Sequence, residues 1–189
     1  MGIGSAGRVG IAVVLITVGC GPLSDSSLAP EDEALSLNVA KTRFVVGSGT
    51  FDLTPAGAGI ATFDYNVEKV AGRPASGTFS QYREAGGLAI DFTGKASCLT
   101  ADFKNGRAWV GGVVLENRST HPSFQTAIHQ PGQVIWFRVL DQPGNDRSTV
   151  FGFKGAAGFD TSDQYCDGRP WPDLDARTWH VISGEIDIP

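Results

Sequence analysis

The stretch Ile60–Val70, IATFDYNVEKV, decides the fold class of this chain. Phe63, Tyr65 and Val67 fall on one parity, and Thr62, Asp64, Asn66 and Glu68 on the other. Alternation with a period of two sends successive side chains to opposite faces of a strand, so one face suits a core and the other suits water. A helix would instead repeat its apolar residues three and four apart. The same signal extends outward in both directions. Before it, Phe44-Val45-Val46 leads through Gly47-Ser48-Gly49 into Thr50-Phe51-Asp52-Leu53. After it, Gly77–Arg83 (GTFSQYR) alternates less cleanly, and Leu88, Ile90 and Phe92 share a face.

Further along, Ala96–Phe103 carries Cys98 on the parity of Ala96 and Thr100. Asp102-Phe103-Lys104 and Arg107-Ala108-Trp109-Val110 flank Asn105-Gly106, a pair that accepts the positive φ angles of a type I′ hairpin turn. Trp109–Leu115 (WVGGVVL) continues as a strand, and its paired Gly111 and Gly112 predict a bulge, a bend or the close approach of another segment. Val134–Leu140 (VIWFRVL) is apolar on both parities except at Arg138, the pattern of a strand covered on both faces. Ser148–Phe153 (STVFGF) and Thr178–Ile188 (TWHVISGEIDI) complete the set. No helical period runs longer than two turns. The expectation is a single all-β domain over residues 43–189, an antiparallel meander of nine or ten strands. It either closes into a barrel or packs as a two-sheet sandwich, and the glycines inside strands favour the barrel.

The first forty residues read differently. Val9–Val18 (VGIAVVLITV) is a run of ten nearly all apolar residues behind the weakly positive Met1–Arg8. That length suits the core of a signal peptide and falls short of the ~20 residues needed to span a bilayer. Thr17-Val18-Gly19-Cys20 follows directly, a small-residue box ending in Cys as in lipoprotein signals, although Thr17 stands where Leu is usual. A thioether from Cys20 to diacylglycerol would anchor the protein, each buried CH₂ adding ~0.8 kcal/mol of membrane affinity. The alternative is an ordinary signal cut after Ala29 or Ala40. Residues 21–42, rich in Ser, Pro and acids, read as a flexible tether. The expected location is the cell envelope of a bacterium, with soluble secreted or periplasmic protein as the alternative.

The chain from Cys20 onward carries 14 basic and 20 acidic residues. An acidic domain without a Lys/Arg cluster makes a poor nucleic-acid binder, because phosphate neutralisation supplies most of that affinity. With Cys20 set aside for lipid, Cys98 and Cys166 remain. Two is the number one bridge needs in an exported compartment, and the alternative is two unrelated buried thiols.

The segment Cys98-Leu99-Thr100 to Asn105-Gly106-Arg107-Ala108-Trp109-Val110-Gly111-Gly112, with Trp136-Phe137-Arg138-Val139 and Tyr165-Cys166, resembles a group of small exported β-rich proteins from soil-type bacteria. That resemblance covers about residues 43–188 and has no assigned activity. It implies export, a β-rich domain and a Cys98–Cys166 pair, and it carries over no catalytic residue.

Motifs for chemistry are sparse. The chain holds no G-x-S-x-G elbow, H-E-x-x-H pair, Walker loop or G-x-G-x-x-G turn, so no catalytic residue, metal or cofactor is assigned. His121 and His129 share the loop 117–133 and could meet Asp141 or Asp146 around a metal, against the simpler reading of two solvated histidines. Asp160, Asp163 and Asp167 could ligate Ca²⁺ through oxygen, but turn and capping roles fit their spacing better. Arg138 interrupts the most apolar strand. Facing a barrel lumen with Trp109 and Trp136, it would make a small-molecule site that takes an anion; facing outward, it would pair with a nearby Asp. Trp179 reads as core. The expected function is ligand or partner binding by a membrane-tethered domain, the partner being a small molecule or an envelope protein. The alternatives are a small β-barrel enzyme, an isomerase or hydrolase, and a purely structural envelope lipoprotein.

Overall fold

The structure, a computed structural model, describes residues 42–172 and 177–189. The signal-like segment, Cys20 and the tether up to residue 41 lie outside the described residues. Nine strands form: β1 Thr42–Asp52, β2 Ile60–Val70, β3 Ser76–Ala85, β4 Leu88–Asp102, β5 Arg107–Asn117, β6 Val134–Leu140, β7 Arg147–Ser148, β8 Gly152–Phe153 and β9 Trp179–Asp187. Every pairing is antiparallel. The sheet runs β5-β4-β3-β2-β1-β9-β7-β6-β8, and β6 also pairs with β5. That last pairing joins the two ends of the row into a ring of eight strands, with β8 as a short addition against β6. The architecture is therefore the closed barrel and not the sandwich.

Closure depends on how tightly strands can curve and cross. At the β1–β9 seam Gly49 sits opposite Gly184. A Cβ on Gly49 would overlap the Ser183 carbonyl, and one on Gly184 would overlap that of Ser48. Both glycines also have positive φ, so space and conformation together exclude a side chain there. On the other side of β9 the ladder to β7 is only two residues long. Two carboxylates continue the seal: Asp146 accepts the Ile186 N–H at 2.9 Å and Asp141 accepts the Ile188 N–H at 3.0 Å. These two acids serve the strand edge rather than a metal.

Three local readings change. The hairpin at Asn105-Gly106 forms, but its turn is a 3-10 turn over Phe103–Asn105 with only Gly106 left-handed, at φ 55° and ψ 47°. The Asn105 amide donates to the Asp102 carboxylate at 2.7 Å, which favours the wider four-residue loop over type I′. Strand β4 is one bent strand of 15 residues whose register slips at Thr93/Gly94 and Ala96/Cys98. The second slip switches parity, so Ala96 and Leu99 join the core inside the barrel and Cys98 turns outward to α1. Finally, Ser148–Phe153 is not one strand. Thr149, Val150 and Phe151 leave the sheet, because Gln81 on β3 draws this segment across the barrel. The Gln81 amide donates to the Thr149 carbonyl at 2.8 Å and accepts the Phe151 N–H at 3.2 Å.

The interior is packed. Phe51, Phe63, Tyr65, Phe137 and Phe79 form a continuous series of ring contacts, and Tyr65 stacks on Phe137 at 4.3 Å. Each such buried aromatic contributes on the order of 2–3 kcal/mol by removal from water. The polar groups among them satisfy one another: Gln81 donates to the Tyr65 oxygen at 2.6 Å, leaving Tyr65 to donate to Ser148 at 2.7 Å. Phe124 and His129, from the loop after β5, pack on Phe92 and Phe153 and plug one end. His129 is thus buried, not solvated. His121 caps the turn at Pro122–Phe124 by accepting the Ser123 N–H.

Outside the barrel lies a second, smaller core. Strands β5 and β6 present Trp109 and Trp136 outward, and the segment after β8 folds over them. It contains the helix α1, Ser162–Gly168, which starts with a Thr161/Gln164 capping box. Asp163 lies in its first turn, where a carboxylate complements the helix dipole. The Cys98–Cys166 disulfide ties α1 to β4, closing a loop of 68 residues. In the chain-entropy account this contributes about 4 kcal/mol. Gly111 is the space that lets α1 approach, since a Cβ there would meet Cys98 Sγ and Ser162 Cβ, both at 2.8 Å.

Candidate functional site

Strand β6 buries both of its faces, as its sequence predicts. Ile135, Phe137 and Val139 face the interior core, while Trp136, Arg138 and Leu140 are buried on the outside. The register sets Trp109 opposite Arg138 and Gly111 opposite Trp136. The three residues expected to form a ligand site, Arg138, Trp109 and Trp136, are therefore neighbours, but on the outer wall. The lumen expected to hold them is filled by phenylalanines instead, because the β6 parity that carries Phe137 is the one that points inward.

Their surroundings differ from one another. Trp109 is fully buried and its indole N–H donates to the Pro170 carbonyl at 3.0 Å, so it is a structural member of the outer core. Arg138 is also fully buried. Its guanidinium donates to the Trp171 carbonyl and lies 5.8 Å from the Trp171 ring. It holds the segment after α1 in place.

Trp136 borders an open cleft. With Tyr165, Trp171, Arg177, Phe151 and Gly152 it encloses about 200 Å³, between the outer face of β6 and the segment that follows β8. Trp136 and Tyr165 stack at 5.3 Å with their planes 17° apart, and Phe159 abuts Tyr165 edge-on at 5.7 Å. Gly152 matters here for space: a Cβ at this position would overlap the Trp136 indole nitrogen. Its absence leaves that edge of the indole uncovered on the cleft side.

The Trp136 and Tyr165 side chains are buried overall, but their polar atoms are not closed off. Trp136 is 3% exposed and Tyr165 2%. Among the described residues neither the Trp136 indole N–H nor the Tyr165 hydroxyl has a hydrogen-bond partner. The Tyr65–Gln81–Ser148 chain inside the barrel, by contrast, is paired within the protein. Burial pushes the Tyr165 hydroxyl well above the ordinary tyrosine value, with the Arg138 charge acting the other way. It is thus a proton donor throughout the physiological range. Arg177 is exposed at the rim, its guanidinium 4.8 Å from the Trp171 ring. Among the described residues no acidic side chain lines the cleft.

The backbone marks the same place. Among the described residues four that are not glycine have left-handed φ: Ala157, Arg169, Trp171 and Arg177. Three of them, Ala157, Trp171 and Arg177, line the cleft. Each costs of order 1–3 kcal/mol and persists only where surrounding structure compels it, which is characteristic of ligand-binding segments.

The sequence names Trp136, but gives no reason to single out Tyr165, Phe151 or Arg177. The signal was the Cys pair. A bridge from Cys98 to Cys166 sets Tyr165 against the outer wall of β5 and β6. No grouping of three or more His, Cys, Asp or Glu suited to a metal occurs among the described residues. Asp160, Asp163 and Asp167 are all exposed around α1. No protein family, no curated protein and no solved structure matches the chain.

Proposed function

We propose that this protein is an exported, lipid-tethered β-barrel of the bacterial cell envelope that binds a small ligand in the cleft between β6 and the segment after β8. The observation that carries the binding role is an aromatic cleft beside the stacked Trp136 and Tyr165, whose indole N–H and hydroxyl have no protein partner among the described residues and are open to solvent. Donors open to an aromatic cleft can be met by water or by a ligand that accepts from them. The barrel is then a scaffold and the outer layer is the working part. Export is supported by the apolar run Val9–Val18 and by a disulfide, which persists in oxidising compartments. The anchor is supported by Cys20 in its small-residue box.

Two measurements test this. Mass spectrometry of the mature protein is expected to find an N-terminal Cys20 carrying diacylglycerol; an unmodified N-terminus beyond residue 20 overturns the anchor. Equilibrium dialysis of the mature protein against naphthalene-2-carboxamide, a flat probe of the right size, is expected to detect binding. Removing one wall with Trp171→Ala should weaken it about tenfold. Binding untouched by that substitution, or no binding, overturns the cleft as the site.

A further inference from the structure

We propose that Asn105 is a site of spontaneous deamidation, at a rate governed by its hydrogen bond to Asp102. Asn105-Gly106 is the single Asn-Gly pair in the sequence. It stands at the tip between β4 and β5, and Asn105 is exposed to water. An asparagine amide is open to attack by the backbone nitrogen of the residue that follows it. Other residues crowd that nitrogen with a Cβ, and glycine does not. Here the Gly106 N–H makes only a long hydrogen bond, 3.5 Å to the Phe103 carbonyl, so little holds the nitrogen back. In the step itself the Gly106 nitrogen bonds to Asn105 Cγ, the Cγ–Nδ2 bond breaks, and the proton of the attacking nitrogen leaves with the amide as ammonia. Water then opens the cyclic imide at either carbonyl. One opening leaves aspartate. The other leaves an isoaspartyl link, with the main chain running through the side-chain carboxyl carbon. Water is the only co-reactant.

The fold supplies a restraint on this step. Asn105 Nδ2 donates to the Asp102 carboxylate at 2.7 Å, which commits the amide to the start of the turn. Cyclisation therefore waits on breaking that bond. The bond is exposed, where water competes for both partners, so it slows the step without forbidding it. Once the step has occurred the turn does not recover. The group that donates to Asp102 has become a carboxylate that repels it. The Asn105 donor is also the leading cause that holds the Asp102 carboxyl below its ordinary value, and that support goes with it. The effect reaches the end of the barrel, because the same turn carries Phe103. Its ring packs on the inner core, with the Arg43 guanidinium 5.6 Å from its centroid. An isoaspartyl link lengthens the backbone between Phe103 and Arg107 and disturbs the Asp102–Arg107 pairing that closes the hairpin.

The experiment incubates the mature protein in warm, mildly alkaline buffer and follows the peptide that contains Asn105 by mass spectrometry over weeks. A parallel sample is unfolded in urea. Conversion of amide to acid is expected at Asn105 in the folded protein, at a lower rate than in urea. Asp102→Ala removes the acceptor and should raise the folded rate about fivefold, the factor that one net hydrogen bond gives. Asp102→Asn keeps an acceptor oxygen and the same shape, so its rate should stay near that of the unsubstituted protein; the pair of variants separates a lost acceptor from a lost fold. Asn105→Asp should melt at a lower temperature than the unsubstituted protein. No conversion at Asn105 in the folded protein, while the sample in urea converts, overturns the site. A folded rate that Asp102→Ala leaves unchanged overturns the restraint. An unchanged melting temperature for Asn105→Asp overturns the repulsion between the two carboxylates.

Discussion

The molecule has two hydrophobic cores of opposite character. Inside the barrel, rings fill the space, the polar groups of Tyr65, Gln81 and Ser148 satisfy one another, and Gln81 fixes the incoming segment at Thr149 and Phe151. Outside, around Trp109, Trp136 and Tyr165, the core is small, fastened by a disulfide, and borders an open cleft. The inner core is complete in itself. The outer one opens on a cleft, the ligand site of the proposed function. Under the proposed function stability lies in one layer and binding in the other, and the β6 strand, buried on both faces, joins the two.

The largest test of this division is the disulfide. Replacing both Cys98 and Cys166 by Ala should cost about 4 kcal/mol in urea unfolding and should weaken probe binding, because α1 is then tied to the wall only by its own packing. A loss well under 1 kcal/mol would mean the outer core holds itself. The next test removes one hydroxyl from each core. Tyr65→Phe leaves Gln81 and Ser148 short of a partner and should cost about 1–2 kcal/mol. Tyr165→Phe removes a hydroxyl that has no partner and should change stability by less than about 0.5 kcal/mol. Equal costs would erase the distinction between the cores.

A third test is Ala157→Gly. Ala157 has φ 57° and is exposed, so glycine should raise stability by about 1 kcal/mol. It should also loosen the cleft and lower probe affinity, the trade expected of strain kept for function. The smallest effect is a pH slope. Burial among phenylalanines holds the His129 imidazole below the ordinary histidine value of 6.5. The unfolded chain therefore takes up the proton first as pH falls through about 6.5. Stability is full above that point and declines from there down to the depressed folded value. A melting-temperature series from pH 7.5 to 5 should show this decline, and His129→Phe should flatten it; no change on substitution would place the titrating group elsewhere.

Much of the barrel is legible from residue order alone. The alternation in Ile60–Val70 marks β2 to the residue, and the doubly apolar VIWFRVL marks a strand buried on both sides. Gly111 and Gly112 signal a close approach, and both a bulge in β4 and the α1 packing are found there. What fails is set by distant partners. Nothing local in STVFGF says that Thr149–Phe151 leaves the sheet, since the cause is Gln81, 68 residues away from Thr149. The weaker alternation around Gln81 was itself the trace of a buried polar group. Arg138 could not be assigned a face without knowing which β6 parity looks inward. The cleft was the least legible part, because Tyr165 and Arg177 acquire their setting from a covalent bridge and from left-handed backbone, and neither leaves a periodic mark.

The seam at Gly49 and Gly184 carries a consequence for biogenesis. Strand β1 is among the first parts of the domain to be made and β9 the last, and Val46 pairs with Asp187 across almost the whole domain. A ribosome or an export channel delivers β1 through β5 as a meander with a bare hydrogen-bonding edge. That edge stays open until residues 179–187 arrive to fill it. Ring closure is then the final assembly event and, being so non-local, a slow one. The chain has its longest exposure to unwanted strand pairing just before its C-terminal strand docks, and shielding by chaperones should matter most in that interval.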